Sequence, residues 1–173
     1  MSVSADRTHR RQAPSADGDL LRSVFRQHAA GVAVVTAHTA TTGPVGFTAT
    51  SLSSVAAAPP MLSFGISTTS SSWPAVAEAE HVGVHILAED QLPLATTFAT
   101  SGADRFGAAT GWSSGPYGVP LLDGVLARVV ARVAARVPAG AHRVVLAELV
   151  TGDVLSEGRP LLYHRGRFTG LQD

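Results

Sequence analysis

The sequence predicts a mainly β domain, an antiparallel barrel with flanking helices. Three observations predict it. Compact apolar runs rich in β-branched residues recur at 32–38, 45–50, 61–67 and 81–87. Turn chemistry such as "TATTGP" separates them at hairpin-type spacing. A thirteen-residue stretch, 125–137, carries Val or Ala at every odd position, with Arg128, Arg132 and Arg136 at even ones, a strict period of two. Short spacings favour antiparallel pairing, because parallel strands need long crossovers.

The elements follow in chain order. Residues 1–19 are polar and aperiodic, which predicts a flexible tail ahead of one domain over 20–173. Leu20, Leu21, Val24, Phe25 and His28 fall at helical spacing, with Asp19 as the expected N-cap and Gly31 as the stop. "VAVVTAH" (32–38) and "VGFTAT" (45–50) read as a hairpin. On its second strand Val45, Phe47 and Ala49 share one face, and Gly46, Thr48 and Thr50 the other. The alternation stops at Ser51, where the backbone is expected to leave the sheet. "MLSFGIS" (61–67) is a third strand, "SSSWPAVAEA" a capped helix with Pro74 in its first turn, and "HVGVHIL" (81–87) a fourth strand. "EDQLPLATTFAT" reads as a further helix. Within 125–137, Arg128, Arg132 and Arg136 fit a helix face as well as a strand, and the valine content decides for a long strand. "VVLAELVTGDVL" and "LLYHRGRFTGL" supply the last strands.

Composition narrows the function classes. The chain has 173 residues, enough for one domain with a full core. Net charge is zero, which gives no global attraction to nucleic acid or to a membrane surface. No apolar run approaches the roughly 20 residues of a membrane span, and no secretory signal is evident, so cytoplasm is the expected location. Cysteine is absent, which removes disulfides, thiolate nucleophiles and thiolate metal sites. All thirteen basic residues are Arg, and no acid occurs between Leu20 and Ala77. A site built from that segment tolerates an anion.

Two hydroxyl runs are the candidate binding elements. "GFTATSLSSV" (46–55) carries Thr48, Thr50, Ser51, Ser53 and Ser54, and "STTSSSW" (67–73) follows the third strand. Hydroxyls and backbone N–H groups at strand ends form an anion cradle, and neutral hydroxyls also bond a heteroaromatic ring edge. Helix capping by Ser71 or Ser72 is the plain structural alternative for part of the second run. His81 and His85 share a strand face but lack the further ligands of a metal centre, and no metal is expected. His142, in the turn "PAGAHRV", and His164 beside Tyr163 are candidates for ligand contact. Motifs for a Ser-His-Asp triad, a phosphate loop or a dinucleotide fold are absent. An enzyme of this kind leaves the difficult chemistry to a cofactor.

The segments "GVAVVTA", "GPVGFTATSLSSV", "PPMLSFGIS", "SSW", "HVGVHILAEDQLPLATTFA", "DRF", "PAGAHRVVLAEL" and "PLLYHRGRFTGL", in that order, resemble the flavin reductase family. Its members are short-chain NAD(P)H:flavin oxidoreductases with a flavin-binding split barrel. The resemblance runs from about Val24 to Leu171. It implies that Thr48, Ala49, Thr50 and Ser51 face the flavin ring and ribityl chain, with backbone contacts from Ser54 and Val55. Ser72 and Trp73 are implied near the phosphate side, and Phe98, Arg105 and Phe106 at the phosphate or adenine end. His142, with Tyr163, is implied at the nicotinamide. Ala141 replaces the Asp of the family's Gly-Asp-His turn. Thr68 stands where relatives often carry a basic residue, which fits a flavin that comes and goes.

The implied reaction is hydride transfer from NADH or NADPH to FMN or FAD. It uses no protein nucleophile; the two rings are stacked at roughly 3–3.5 Å. The implied partners are a second copy in a homodimer and a separate monooxygenase that takes the reduced flavin. The alternatives are a flavin-binding barrel without turnover, and a relative of the pyridoxamine-phosphate oxidase barrels, which would need a clearer basic phosphate site.

Overall fold

A computed structural model describes residues 17–171. The tail expected over 1–19 lies outside the described residues as far as 16, while Gly18 and Asp19 already belong to a helix, α1 (Gly18–Phe25). Asp17, not Asp19, is its N-cap: the Asp17 carboxylate accepts the Leu20 N–H at 2.8 Å. Asp19 instead pairs with Arg22 on the solvent side. No residue of α1 is buried, so its apolar positions are bare in this chain.

The strands are β1 (Ala30–Gly31), β2 (Ala33–Thr39), β3 (Gly43–Ala49), β4 (Ser53–Ala57), β5 (Pro60–Ser67) and β6 (His81–Ile86). After them come β7 (Trp112–Ser114), β8 (Pro120–Leu122), β9 (Ala127–Ala139), β10 (His142–Val154), β11 (Leu162–His164) and β12 (Arg167–Thr169). Two helices intervene, α2 (Trp73–Glu78) and α3 (Leu92–Ala99). Seven strands form the main sheet in the order β3-β2-β6-β9-β10-β5-β4. Every pairing in it is antiparallel, as the spacing predicts. The long stretch expected over 125–137 is strand β9, which starts and ends two residues later, at Ala127 and Ala139, and pairs along its length with β10.

The sheet curls so that its inward faces meet. Val35, Phe47, Phe64, Val84, Ala131 and Val145 fill the interior, with Val76 of α2 packed against them. The other face of β2 is covered too. Val32 and Val34 pack with Ala95 and Phe98 of α3 and with Leu87, Leu122 and Leu161. This double burial explains why β2 reads as a continuous apolar run rather than an alternating one. Each fully buried Phe or Leu contributes about 1.5–3 kcal/mol through removal of apolar area from water.

Edge strands β3 and β4 are not joined by a ladder, so the barrel is split. A side chain bridges the gap instead: Ser51, just past β3, accepts the Gly65 N–H of β5 on its Oγ at 2.8 Å. The chain leaves the ladder after Ala49, one residue earlier than the alternation predicts. It then forms β4, which carries no apolar alternation because its residues are almost wholly exposed. Among the described residues, no helix is long and apolar enough to cross a membrane.

Candidate functional site

The mouth of the split, where β3 ends beside β5, opens into a cavity of about 550 Å³. Four elements build it. The end of β3 supplies Phe47, Thr48 and Ala49, and the segment beyond supplies Thr50 and Ser51. Strand β5 and its following turn supply Gly65, Ile66, Ser67, Thr69, Ser70 and Ser71. Helix α3 and the next loop supply Phe98, Ala99, Ser101 and Arg105. The β9–β10 turn supplies His142. Both hydroxyl runs therefore converge on one cavity, although their strands are not neighbours in sequence. Ser67 meets His142 because β5 pairs with β10 in a register that sets these two residues opposite.

The chemistry of the lining is uneven. Ile66, Phe47 and Phe98 form an apolar floor. Around it stand the hydroxyls, and no acid is among the lining residues. The charged member is Arg105, whose guanidinium is held by the Ser71 Oγ at 3.2 Å and the Thr100 carbonyl at 2.8 Å. Its Nε is buried with no hydrogen-bond partner among the described residues. A buried donor without an acceptor is costly, and an anionic or carbonyl-bearing ligand would satisfy it. The volume falls within the usual 300–1,000 Å³ or so of cofactor pockets. A cationic donor, an apolar floor and neutral hydroxyls fit a flavin with its phosphate.

Some of the hydroxyls are already engaged. Thr48 donates its Oγ1–H to the Ala95 carbonyl of α3 at 2.6 Å, so it ties the helix to β3 and offers a ligand only its lone pairs. Ser51 is engaged at Gly65. Ser67 and Thr69 share a hydrogen bond at 2.9 Å. Thr50 and Ser101 are exposed at the rim.

The structure brings Thr48, Ala49, Thr50, Ser51, Phe98, Arg105 and His142 to one cavity. It does not bring the remaining candidates to the same cavity. Ser54 lies on β4 and lines a separate apolar groove, while Val55 points to solvent from the same strand. Ser72 is wholly buried and donates to the Gly46 carbonyl at 2.9 Å, anchoring the start of α2 to β3. Trp73 packs on the barrel core beneath the Arg143 guanidinium. Phe106 stands edge-on between Phe98 and Trp112, one layer behind the cavity wall. Tyr163 belongs to the small sheet of β1, β11 and β12, where it packs on Phe168. Ser67, Thr69, Ser70 and Ser71 come in their place. The "STTSSSW" run marked that turn, but which of its residues face inward depends on the turn's conformation. Gly65, Ile66 and Ser101 carried no signal.

The two histidines of β6 have separate structural roles. His81 stacks on Tyr117 with ring centroids 3.9 Å apart. His85 is fully buried, and its Nδ1–H donates to the Val34 carbonyl at 3.1 Å. Burial, helped by the Arg128 charge, pushes its pKa down to about 4 against the opposing effect of that hydrogen bond.

Residues 25–172 match the flavin reductase like domain family. The chain is 43% identical over 152 residues to an NADH:FMN oxidoreductase of Rhodococcus qingshengii, covering 85% of this chain and 78% of that protein. It is 32% identical over 161 residues to the reductase subunit of a flavin-dependent monooxygenase from Rhodococcus jostii, covering 92% and 81%. Among solved structures, the NADH:FAD oxidoreductase of Streptomyces globisporus, in complex with NAD and FAD fragments, superposes with a TM-score of 0.83 at 27% identity, covering 90% and 93%. With its family match spanning the whole barrel, the chain belongs to the flavin reductase like family.

Proposed function

We propose that this chain is an NAD(P)H-dependent flavin reductase that passes reduced FMN or FAD to a separate monooxygenase. The observation that carries the reading is the single cavity shared by the β3-end residues 48–51, Arg105 and His142. When bound, flavin supplies the hydride-accepting ring. The protein's part is to seat and orient. Phe47, Ile66 and Phe98 exclude water on one side, the rim hydroxyls bond polar edges, and Arg105 neutralises a phosphate. His142, from the start of β10, contacts the nicotinamide. A lining of neutral hydroxyls with one guanidinium holds a phosphate less tightly than a cluster of cations, which suits a flavin released after each turnover.

The test is NADH and NADPH oxidation with added FMN or FAD. Saturable turnover supports the reading. Tight flavin binding without turnover would instead favour a flavin-binding barrel. In the same assay, His142→Ala is expected to raise the nicotinamide KM about 5- to 10-fold, the worth of one hydrogen bond, with little change in flavin affinity. An unchanged KM would remove His142 from the site.

We also infer that the chain acts as a homodimer in the cytoplasm, where reduced nicotinamides are produced. Leu20, Leu21, Val24 and Phe25 on α1 are each more than half exposed. A groove of about 320 Å³ lined by Leu52, Met61, Ile86 and Leu149 opens between β4–β5 and β6–β9–β10. A second copy would cover these apolar surfaces. Sedimentation should return about twice the 17.8 kDa chain mass. A monomer at assay concentration would sink the dimer and leave the reductase reading intact.

A further inference from the structure

His142 lines the cavity, yet among the described residues no hydrogen bond holds its imidazole. Its place is therefore set by its backbone. That backbone leaves a two-residue turn, Gly140–Ala141, between Ala139 of β9 and His142 of β10. Gly140 has φ +59°, a conformation that glycine adopts freely. The ladder pairs His142 with Ala139 on one side and Ser67 on the other, and one further contact reaches the turn from outside the hairpin.

The β5–β10 ladder ends with His142 opposite Ser67. One residue further on, Thr68 makes two hydrogen bonds to a single atom. Its backbone N–H donates to the Ala141 carbonyl at 3.0 Å, and its Oγ1–H donates to the same oxygen at 3.1 Å. Both bonds land on the residue immediately before His142. Thr68 itself is not among the residues lining the cavity; its neighbours Ser67 and Thr69 are. Its side chain is thus turned away from the ligand space and spent on the turn.

We propose that Thr68 is a positioning residue: its hydroxyl pins the Ala141 carbonyl and so holds His142 at the rim of the cavity. Ala141 has no polar side chain to brace the imidazole, and Thr68 braces the backbone instead. The inference rests on the reading of His142 as the nicotinamide contact.

The experiment uses the full chain with Thr68→Val, which keeps the shape and the N–H but loses the donor, and with Thr68→Ser, which keeps it. Thr68→Val is expected to raise the NADH KM about 2- to 10-fold, the range one hydrogen bond allows, while flavin Kd stays within about twofold. Amide hydrogen exchange at 140–142 should quicken, and Thr68→Ser should restore both KM and exchange. An unchanged exchange rate overturns the anchor itself. Faster exchange with unchanged KM overturns its role at the site, and a parallel rise in flavin Kd would mean general loosening and overturns it as well. If the unmutated chain shows no NADH-dependent flavin turnover, the functional reading has failed separately, and the exchange comparison of the Val and Ser variants still decides the anchor.

Discussion

Gly46→Ala is expected to destabilise the protein by about 1–3 kcal/mol, the usual cost of overpacking a filled core. Most of that cost should vanish when Phe98 is also truncated. The reason is a close approach between β3 and α3. A Cβ on Gly46 would sit 2.6 Å from the Phe98 ring and 3.1 Å from the Val35 carbonyl oxygen. Phe98 cannot yield easily, because it is fully buried and stands edge-on against Phe106, which itself stands against Trp112. Phe98→Ala alone should cost about 3–5 kcal/mol, by lost transfer energy and the void left behind. It should also weaken flavin binding, since Phe98 is part of the cavity floor. In the Phe98→Ala background, however, the clash with the ring is gone and only the 3.1 Å approach to the Val35 carbonyl remains. Urea unfolding of the two single variants and the double variant measures the coupling. Simple additivity of the two losses would show that the glycine is not there to admit the ring.

Acid should destabilise the fold through His85. The Val34 carbonyl can only accept, so Nδ1 carries the proton, and Nε2 has no hydrogen-bond partner among the described residues. The neutral ring suits its buried place, and the charged ring does not. Its pKa lies at about 4 in the fold against 6.5 for an unburied histidine, as in the unfolded chain. Between those values the unfolded chain binds the extra proton and the fold does not. Stability from this group is therefore complete above pH 6.5 and is lost progressively as pH falls toward 4. The loss between pH 7.5 and pH 5 amounts to about 2 kcal/mol by linkage. His85→Asn places an amide donor where Nδ1 stands and cannot titrate. Urea unfolding of this variant at the two pH values should show a correspondingly smaller acid loss. Parallel losses in the variant and the parent protein would mean that His85 does not govern the acid limb.

Parts of this architecture were legible because they obey strand periodicity. Val45, Phe47 and Ala49 do face the core, and Thr48 does face α3, as alternation along β3 requires. The thirteen-residue alternation likewise identified β9, whose Arg132 pairs across to Glu148 of β10. Strand β4 left no such trace: its residues are mostly exposed, and it is held by backbone pairing with β5 rather than by a buried face. The exposed α1 shows the reverse. Its apolar spacing marked a helix correctly, but nothing in the spacing reveals that the chain itself offers that face no partner.

The candidate site divides in the same way. Local chemistry alone identified two neutral hydroxyl runs at strand ends, an acid-free segment and a histidine in a tight turn. These are properties of residue type and short-range order, and alternation fixes which way a side chain leaves a strand. Only the tertiary structure decided that β5 lies against β10, that Ser71 and Arg105 meet across 34 residues of sequence, and that Thr68 grips the turn before His142. Such contacts depend on which distant strands pair and on how loops turn between them. Neither is set by the residues of one segment taken alone.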